Sequence, residues 1–343
     1  SWYMLLTNIK QNTPADAVLN SWWDFGDWFK AVAGRRVIFD GQSQNTPQGY
    51  WMAKVFLSKS EEEAFAILRM LNNGGNLAFE EIDKQLNDQS LSLLLLEKVL
   101  GARPEAAREA LSKSLPEHIV ERVMRLLYGD PPAAYIIVDY SLIGKMYPIS
   151  YLGNWDAVRL YVVKNMNAKT KEQVISRLVE MGVGQPDAES MYSDARLLAP
   201  SDYNKWISHH ARFYTGSIPG TRKGDNVFFD NGLVYNIKDR SMLAYSGYEG
   251  KYRVPKSIFY LEGDRLEEYM YPDSNVEFSV LLLQDGDNFK AVQLDRELGQ
   301  SLFNKLYFLK GKGLRYFKPF TDNGEAQNYI GVFEIDWKAY ERR

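Results

Sequence analysis

The stretch LNSWWDFGDWFKAVAGRRVIFDGQSQN, from Leu19 to Asn45, decides the fold class of the chain. Its first residues complete a segment with strand character, DAVLNSWW at 16–23, which ends in a polar turn. FGDWFKAVAG at 25–34 predicts a helix that Gly34 closes in the left-handed conformation. RRVIFDG at 35–41 is a short apolar run bounded by glycine and predicts a buried strand. Strand, helix and strand in succession indicate a mixed α/β fold.

Helical patterns dominate the chain beyond this stretch. The segments 60–75, 114–129 and 170–184 each begin with a capping-box pattern and end in glycine. AAYIIVDY at 133–140 predicts another buried strand. We therefore predict a mixed α/β, helix-rich central core domain over residues 1–220 that carries the Trp-Trp-Asp block.

The hydrophobic period changes to two from about Arg222. The strand-like segments, separated by glycine-containing turns, are 225–237, 241–261, 275–294, 314–320 and 329–337. Only the segment 295–308 has a helical pattern there, and GSIPGTRKGD at 216–225 marks the boundary. Residues 221–343 are therefore predicted to form a smaller, antiparallel β-rich domain that is barrel- or sandwich-like.

Composition excludes several classes of protein. The 343 residues carry a formal net charge of −3, unlike the basic footprint of a nucleic-acid-binding protein. The chain has no cysteine, which excludes thiolate catalysis and cysteine-ligated zinc. Its apolar runs are shorter than the ~20 residues that a membrane-spanning helix needs. Because Ser1 stands where an initiator methionine or a basic leader would be, we expect a soluble piece of a longer or processed protein.

The remaining polar clusters favour structural roles. The three histidines are His118, His209 and His210. None of them has the spacing of a metal ligand. Asp285 and Asp287 faintly resemble a calcium loop, but the later glutamate is missing and a hairpin turn is the preferred interpretation. The glycine-rich LNNGGN at 71–76 follows a helix instead of a strand, which disfavours a phosphate-binding loop.

Trp22, Trp23 and Asp24 are the candidate functional residues of the opening stretch. Adjacent tryptophans point to different sides of a strand or a helix, so the two cannot fill the same part of a core. One interpretation is an aromatic core around a tight turn, with Asp24 as a helix N-cap. The other is a polar pocket, because a carboxylate beside two indoles offers an acceptor and N–H donors in an apolar wall. Such a pocket suits a small hydroxyl group or a sugar.

SWWDFGDW at 21–28 resembles the Trp-Trp-Asp-x-Gly pattern of the oligosaccharyltransferase catalytic subunit, a family with archaeal, bacterial and eukaryotic members. The segments 34–71, 142–156 and 332–337 are similar to its archaeal members. The resemblance covers most of residues 13–160 and returns at the C-terminal end. The chain therefore looks like the C-terminal globular domain of an archaeal catalytic subunit.

The resemblance implies that the chain is the extracytoplasmic part of an integral membrane enzyme. That enzyme transfers an oligosaccharide from a polyisoprenyl (dolichyl) phosphate carrier to the asparagine of an Asn-x-Ser/Thr sequon in an acceptor polypeptide. By the family pattern, Trp22, Trp23 and Asp24 bind the serine or threonine two residues after that asparagine. A site that hydrogen-bonds a hydroxyl group can discriminate against its absence by roughly 10⁴-fold.

The family also has a motif in which an aspartate and a lysine lie near an apolar residue beside the same pocket. The resemblance implies Asp139 and Lys145 for this motif, at a longer spacing than the family's, with Ser141 as the alternative to the aspartate. Ile143 or Met146 would then contact a threonine methyl group. The structural alternative for Asp139 is the end of a strand before a capped helix.

In this family the divalent metal, Mn²⁺ or Mg²⁺, and the lipid-linked oligosaccharide bind in the transmembrane part. The resemblance therefore implies no metal site and no catalytic residue in this chain, and an isolated chain that is folded but inactive. The even spread of charge, the absent cysteine and the capped helices are typical of a thermophile.

Two other classes of protein fit the same composition. A carbohydrate-binding module of a secreted or membrane-tethered protein would use the tryptophans as a sugar-stacking platform. A surface-layer or adhesion domain would use them only for structure. A sequon pocket distinguishes threonine from alanine in a peptide and ignores free glycan, whereas a sugar platform does the reverse.

Overall fold

The computed structural model describes residues 2–44, 46–246, 250–325 and 328–341. Asn45, which ends the opening stretch, and residues 247–249, inside a predicted strand segment, lie outside this description. The α-helices are α1 (Trp2–Asn12), α2 (Gly26–Ala33), α3 (Pro47–Leu57), α4 (Glu61–Gly74), α5 (Leu77–Leu86), α6 (Gln89–Val99), α7 (Pro104–Ser112), α8 (Glu117–Tyr128), α9 (Ser141–Gly153), α10 (Ala157–Asn165), α11 (Lys171–Glu180), α12 (Gln185–Leu197), α13 (Tyr203–Ile207), α14 (Leu302–Tyr307) and α15 (Trp337–Glu341). The strands are β1 (Val18–Asn20), β2 (Arg36–Val37), β3 (Ala134–Asp139), β4 (Ile218–Lys223), β5 (Asn226–Phe229), β6 (Leu233–Asn236), β7 (Met242–Ser246), β8 (Lys251–Arg253), β9 (Ser257–Glu262), β10 (Arg265–Met270), β11 (Phe278–Asp285), β12 (Asn288–Asp295), β13 (Phe317–Asp322) and β14 (Ile330–Ile335).

A five-stranded sheet, counted over the described residues, contains the opening stretch. Its strand order is β13-β14-β3-β1-β2, and β1 runs parallel to both β2 and β3. Every residue of β3 is buried, as an apolar strand in the middle of a sheet requires. Helix α2 ends at Gly34, which has a φ of 61°, so the predicted strand–helix–strand order is confirmed. The buried strand predicted over residues 35–41 is shorter than expected. Arg36–Val37 form an edge strand, and the buried Ile38 and Phe39 follow it.

The last two strands of the chain join this same sheet. Strand β14 is antiparallel to β3, with Val332 opposite Ile137, and β13 pairs with β14. The sequence assigned both segments to the β-rich part of 221–343, and their pairing corrects that assignment. An alternating pattern identifies a strand and its buried face, but it does not specify the sheet that the strand joins. The chain thus leaves the helical core after α13 and returns to it at α14, which packs on α3 and β3.

Nine strands within the described ranges form a second, curled half-barrel sheet after the helical region. Its order is β10-β9-β11-β12-β4-β5-β6-β7-β8, and neighbouring strands are antiparallel except for β9 and β11. One face carries an apolar cluster that includes Val227, Leu233 and Ile258. Gly286, with a φ of 57°, lies in the turn between β11 and β12, where Asp285 pairs with Asn288. The hairpin interpretation of this segment is therefore confirmed.

Backbone hydrogen bonds join the two ends of this β-rich region. The N–H group of Asp295 donates to the carbonyl oxygen of Arg212 at 2.9 Å, and the N–H group of Tyr214 donates to that of Gln293 at 2.8 Å. The chain therefore enters and leaves the nine-stranded sheet at one place, as expected for a domain inserted between two parts of another.

Local capping signals fix several helix starts in the core. The hydroxyl group of Ser60 accepts from the N–H group of Glu63 at the start of α4, and Thr170 with Gln173 forms a complete capping box on α11. Both predicted caps are confirmed. The capping box predicted for α8 is wrong, because Pro116 occupies the N-cap position and makes no side-chain hydrogen bond there.

Candidate functional site

The Trp-Trp-Asp block forms a single turn directly after β1. Residues Trp23–Phe25 are a 3₁₀ turn, and α2 begins at the next residue. Gly26 allows this arrangement, since a Cβ atom there would lie 2.5 Å from the carbonyl oxygen of Phe39. The prediction that Asp24 caps a helix is wrong, because Phe25 holds the N-cap position of α2 and Asp24 lies inside the turn.

The chain topology brings this turn to the start of α9. Strands β1 and β3 are parallel neighbours, so their C-terminal ends lie at the same edge of the sheet. The Trp23–Phe25 turn follows β1, and α9 begins at Ser141, two residues after β3 ends at Asp139. Two distant parts of the sequence are thus placed side by side by strand pairing alone.

Lys145 is the centre of the resulting polar cluster. Its ammonium group contacts the carboxylate of Asp24 and lies 2.9 Å from the hydroxyl oxygen of Ser141, one helical turn earlier. The same ammonium group lies 5.3 Å from the centroid of the Phe25 ring. The side chains of Asp24 and Lys145 are 21% and 32% exposed, so a ligand can reach the pair from solvent.

Asp139 is buried next to this cluster and contacts it through Ser141. It is 1% exposed, and its carboxylate accepts a hydrogen bond from the N–H group of Ser141 at 2.8 Å. Burial raises the pKa of the Asp139 carboxyl above its ordinary value, while hydrogen bonding to Ser141 and the charge of Lys145 oppose that rise. The Asp139 carboxylate thus contacts the first turn of α9, and its role in substrate binding stays a prediction.

The apolar residues that were predicted to contact a ligand differ in their exposure. Trp22 is 6% exposed and packs edge-on against Phe39, with ring centroids 5.1 Å apart. Trp23 is half-buried at the margin of the same core cluster, so the two indoles do occupy different positions. Met146 is fully buried, whereas Ile143 is half-buried, and the contact of either residue with a threonine methyl group stays a prediction.

Phe25 is the member of the cluster that sequence reasoning missed. Its ring lies 4.8 Å from that of Trp2, 6.3 Å from that of Trp28 and 6.2 Å from that of Phe29. These three rings surround Phe25, whose own ring lies next to the ammonium group of Lys145. The only signal in the sequence was its position next to Asp24, which does not distinguish a ring beneath a cation from an ordinary core residue.

The other polar residues singled out from the sequence lie elsewhere. Asp27 is 63% exposed and pairs with Lys30 at 2.7 Å, so it does not form a carboxylate pair with Asp24. His209 contacts Glu297 at 2.6 Å, and His210 stacks on tyrosine rings. Over the described ranges, no group of three or more histidine, cysteine, aspartate or glutamate side chains could hold a metal ion.

None of the helices in the described part of the chain has the length and apolarity needed to cross a membrane. The longest helix, α4, has 14 residues and opens with three glutamates.

No family model matches the chain. The chain is 24% identical over 349 aligned positions to the dolichyl-phosphooligosaccharide-protein glycotransferase of Methanocaldococcus jannaschii, which covers 98% of this chain and 34% of that protein. It is 30% identical over 162 positions to the protein of the same name from Methanococcus voltae, which covers 45% of this chain and 18% of that protein. Among solved structures, the PglB C-terminal domain of C. jejuni aligns with 98% of this chain and 99% of its own, at a TM-score of 0.44 and 13% identity. The chain thus spans about a third or less of the length of these curated relatives.

Proposed function

Because the chain is homologous to the archaeal dolichyl-phosphooligosaccharide-protein glycotransferases, we propose that it is the acceptor-recognising domain of such an enzyme. The complete protein would be an integral membrane enzyme that works on the extracytoplasmic face. It would transfer an oligosaccharide from a dolichyl phosphate carrier to the asparagine of an Asn-x-Ser/Thr sequon. Mn²⁺ or Mg²⁺ and the lipid-linked donor would bind outside this chain, so the chain alone is expected to transfer nothing.

The contact between Asp24 and Lys145 is the observation that carries this proposal. A hydroxyl group is both a donor and an acceptor, and this pair presents the complementary groups side by side. The carboxylate of Asp24 would accept a hydrogen bond from the hydroxyl group. Lys145 has three N–H donors, of which Asp24 and Ser141 take two, so the third donates to the hydroxyl oxygen. An alanine at this position of the acceptor leaves both charged groups without that partner.

The apolar residues around this pair would supply the rest of the pocket. Trp23, which precedes Asp24, and Ile143, two positions before Lys145, are half-buried, and they would form the wall that a threonine methyl group contacts. Trp22 and Met146 are buried behind them and would hold that wall in place. Asp139 would act through Ser141, as a positioning residue.

The experiment that tests the proposal compares two peptides, Asn-Ala-Thr and Asn-Ala-Ala with blocked ends, by NMR titration against the chain. We expect the threonine peptide to shift the indole signal of Trp23 and to bind about 10- to 100-fold more tightly, since hydrogen bonds to charged groups contribute about 1.5–3 kcal/mol. Asp24→Asn should remove this preference.

Asp27→Asn is the matched control, because Asp27 is three positions after Asp24 and its carboxylate pairs with Lys30 instead of Lys145. It should leave the preference for threonine intact. Equal binding of the two peptides by the unmodified chain would contradict the proposal. Binding of free oligosaccharide without any preference between the peptides would favour a carbohydrate-binding module. Transfer of oligosaccharide by the chain alone, given donor and metal, would contradict the expected inactivity.

A further inference from the structure

Phe25 occupies a position at which an aromatic residue is unusual. It is the N-cap residue of α2, and its side chain makes no capping hydrogen bond. Serine, threonine, aspartate and asparagine are preferred at an N-cap, because their side chains accept from the first N–H groups of the helix. The ring is half-buried, and its centroid lies 4.8 Å from that of Trp2 on α1 and 6.2 Å from that of Phe29 on α2. These contacts hold the ring at the end of the same turn that carries Asp24.

The turn presents Asp24 and Phe25 to the same ammonium group. The carboxylate of Asp24 contacts the ammonium group of Lys145, and the centroid of the Phe25 ring lies 5.3 Å from its nitrogen atom. The face of an aromatic ring is negative and attracts a cation within about 6 Å. The lysine is therefore held by an ion pair and by a cation–π contact from two consecutive residues.

An aromatic ring and an oxygen atom act differently on such an ammonium group. Of the three N–H donors of Lys145, Asp24 takes one and the hydroxyl oxygen of Ser141 takes another, at 2.9 Å. A side-chain oxygen at position 25 would compete for the third donor. The ring of Phe25 attracts the cation as a whole, and a hydrogen bond from N–H to a ring is weak. The ring can therefore restrain the ammonium group and still leave the third donor to a ligand.

We propose that Phe25 is a positioning residue of the proposed pocket, which holds the ammonium group of Lys145 and keeps its third N–H donor free for the hydroxyl group of the acceptor. This inference rests on the proposed function, since it takes that hydroxyl group to bind at Asp24 and Lys145. The flexible four-carbon side chain of a lysine loses conformational freedom when it binds a ligand, and restraining it beforehand lowers that cost. Phe25 thus adds to the preference for threonine without touching the peptide.

The test measures the affinities of the blocked Asn-Ala-Thr and Asn-Ala-Ala peptides for the unmodified chain and for variants of Phe25. Phe25→Leu keeps an apolar side chain but removes the ring, and we expect the threonine preference to fall about two- to fivefold. Phe25→Tyr keeps the ring and should retain the preference. Phe25→Gln supplies an amide oxygen that accepts from the third N–H donor, and it should lower the preference about tenfold or more.

Three further measurements separate the charge distribution of the ring from its packing. A ring-fluorinated phenylalanine in place of Phe25 keeps the shape but weakens the negative face, so it should lower the preference as Phe25→Leu does. The NMR signals of the ε-methylene protons of Lys145 should lose their ring-current shift in Phe25→Leu and keep it in Phe25→Tyr. Phe228→Leu is the matched control, because it removes a ring 5.8 Å from the ammonium group of Lys223, and it should leave the preference unchanged.

The outcomes distinguish this inference from the proposed function. A threonine preference that is unchanged in Phe25→Leu or in Phe25→Gln overturns the inference, while the proposed pocket stands. An equal loss in Phe25→Tyr and Phe25→Leu, or a preference that ring fluorination leaves intact, also overturns it, since the ring would then act through packing. Fluorination decides the question even if Phe25→Leu does not fold. The absence of any threonine preference in the unmodified chain overturns both the inference and the proposed function.

Discussion

The ammonium group of Lys145 contacts the carboxylate of Asp24, although 121 positions separate the two residues in the chain. The contact exists because β1 and β3 are adjacent and parallel, and each is followed directly by one of the two elements. The ion pair is therefore positioned by the pairing of these two strands. Ligand binding by the pair and its contribution to the free energy of unfolding can therefore be tested separately.

The first prediction is that this ion pair contributes little to folding. Its two side chains are 21% and 32% exposed, and exposed pairs are typically worth about 1 kcal/mol or less. We expect Asp24→Asn, Lys145→Met and the double variant each to change the free energy of unfolding in urea by at most about 1 kcal/mol. A loss of several kcal/mol in either single variant would show that the pair is a structural element and would weaken the proposed pocket.

The second prediction concerns pH and Asp139. The pKa of its carboxyl is raised by burial, so the folded chain binds this proton more strongly than the unfolded chain does. Stability is therefore lost as the pH rises from the pKa of this carboxyl in the unfolded chain through its higher pKa in the folded chain, and the penalty is fully present above the latter. We expect Asp139→Asn, which keeps an acceptor for the N–H group of Ser141, to be more stable than the unmodified chain at pH 7.5 and to lose that advantage near pH 4.

Two further variants, Asp139→Ala and Asp239→Asn, serve as controls for this prediction about Asp139. Asp139→Ala removes the acceptor as well as the charge and should cost about 1 kcal/mol relative to Asp139→Asn, the worth of a helix cap. Asp239 accepts in the same way from the N–H group of Ser241 at 2.9 Å, but its pKa is lowered by those hydrogen bonds. Asp239→Asn should therefore give no stabilisation at pH 7.5. An Asp139→Asn variant that is less stable than its parent at pH 7.5 would contradict the argument.

The local features of the fold could be predicted because their causes lie within a few residues. Gly34 closes α2 since a positive φ is least costly for glycine, and Thr170 with Gln173 caps α11 through neighbouring groups. The alternating patterns identified most of the strands, including β14, but missed β4 (Ile218–Lys223), which lies inside the predicted boundary segment 216–225, and β10 (Arg265–Met270). Which sheet β14 joins was not predictable, because hydrophobic alternation reports burial and the partner strand lies far away in sequence.

In the candidate site, too, the residues could be predicted from the sequence but their contacts and burial could not. Asp24 and Lys145 were candidates from the family resemblance, but their mutual contact depends on strand pairing. The burial of Asp139 and Met146 also depends on it, since both look available when only their own segment is considered. Phe25 beneath Lys145 was missed because a single aromatic residue beside a turn has many possible partners.

The third prediction concerns a buried pair of amides that ties β1 to α4. Asn20 and Asn72 are 0% and 1% exposed and exchange two side-chain hydrogen bonds, at 3.0 and 3.3 Å. Asn72→Leu leaves the amide of Asn20 without that partner, which should cost about 1–3 kcal/mol in chemical denaturation. The double variant Asn20→Val and Asn72→Leu should recover part of this loss. A double variant that loses the sum of the two single effects would contradict an interaction between the amides.

The fourth prediction compares two glycines of α9. A Cβ atom on Gly153 would lie 2.9 Å from the carbonyl carbon of Ala53 and 3.0 Å from the amide nitrogen of Lys54, both backbone atoms of α3. Gly153→Ala must therefore separate two packed helices, and we expect a loss of about 1–3 kcal/mol. Gly144→Ala meets nothing within 4 Å and should stabilise the chain by up to about 1 kcal/mol through helix propensity. Similar melting temperatures for the two variants would contradict the close approach of α3 and α9.

The fifth prediction contrasts two deletions. Removing residues 314–343 takes away β13 and β14, which exposes the edge of the fully buried β3, so this variant should not fold and should aggregate. Replacing residues 216–292 by a short Gly-Ser linker removes most of the nine-stranded sheet, but its ends already meet through Arg212 and Asp295.

We expect this second variant to keep the helical circular-dichroism spectrum and a cooperative transition, at a lower melting temperature because Phe259 and Leu281 pack on the core. A folded first variant would mean that β13 and β14 are dispensable edge strands. An unfolded second variant would mean that the β-rich region is part of the same cooperative unit as the helical core, and not an insertion into it.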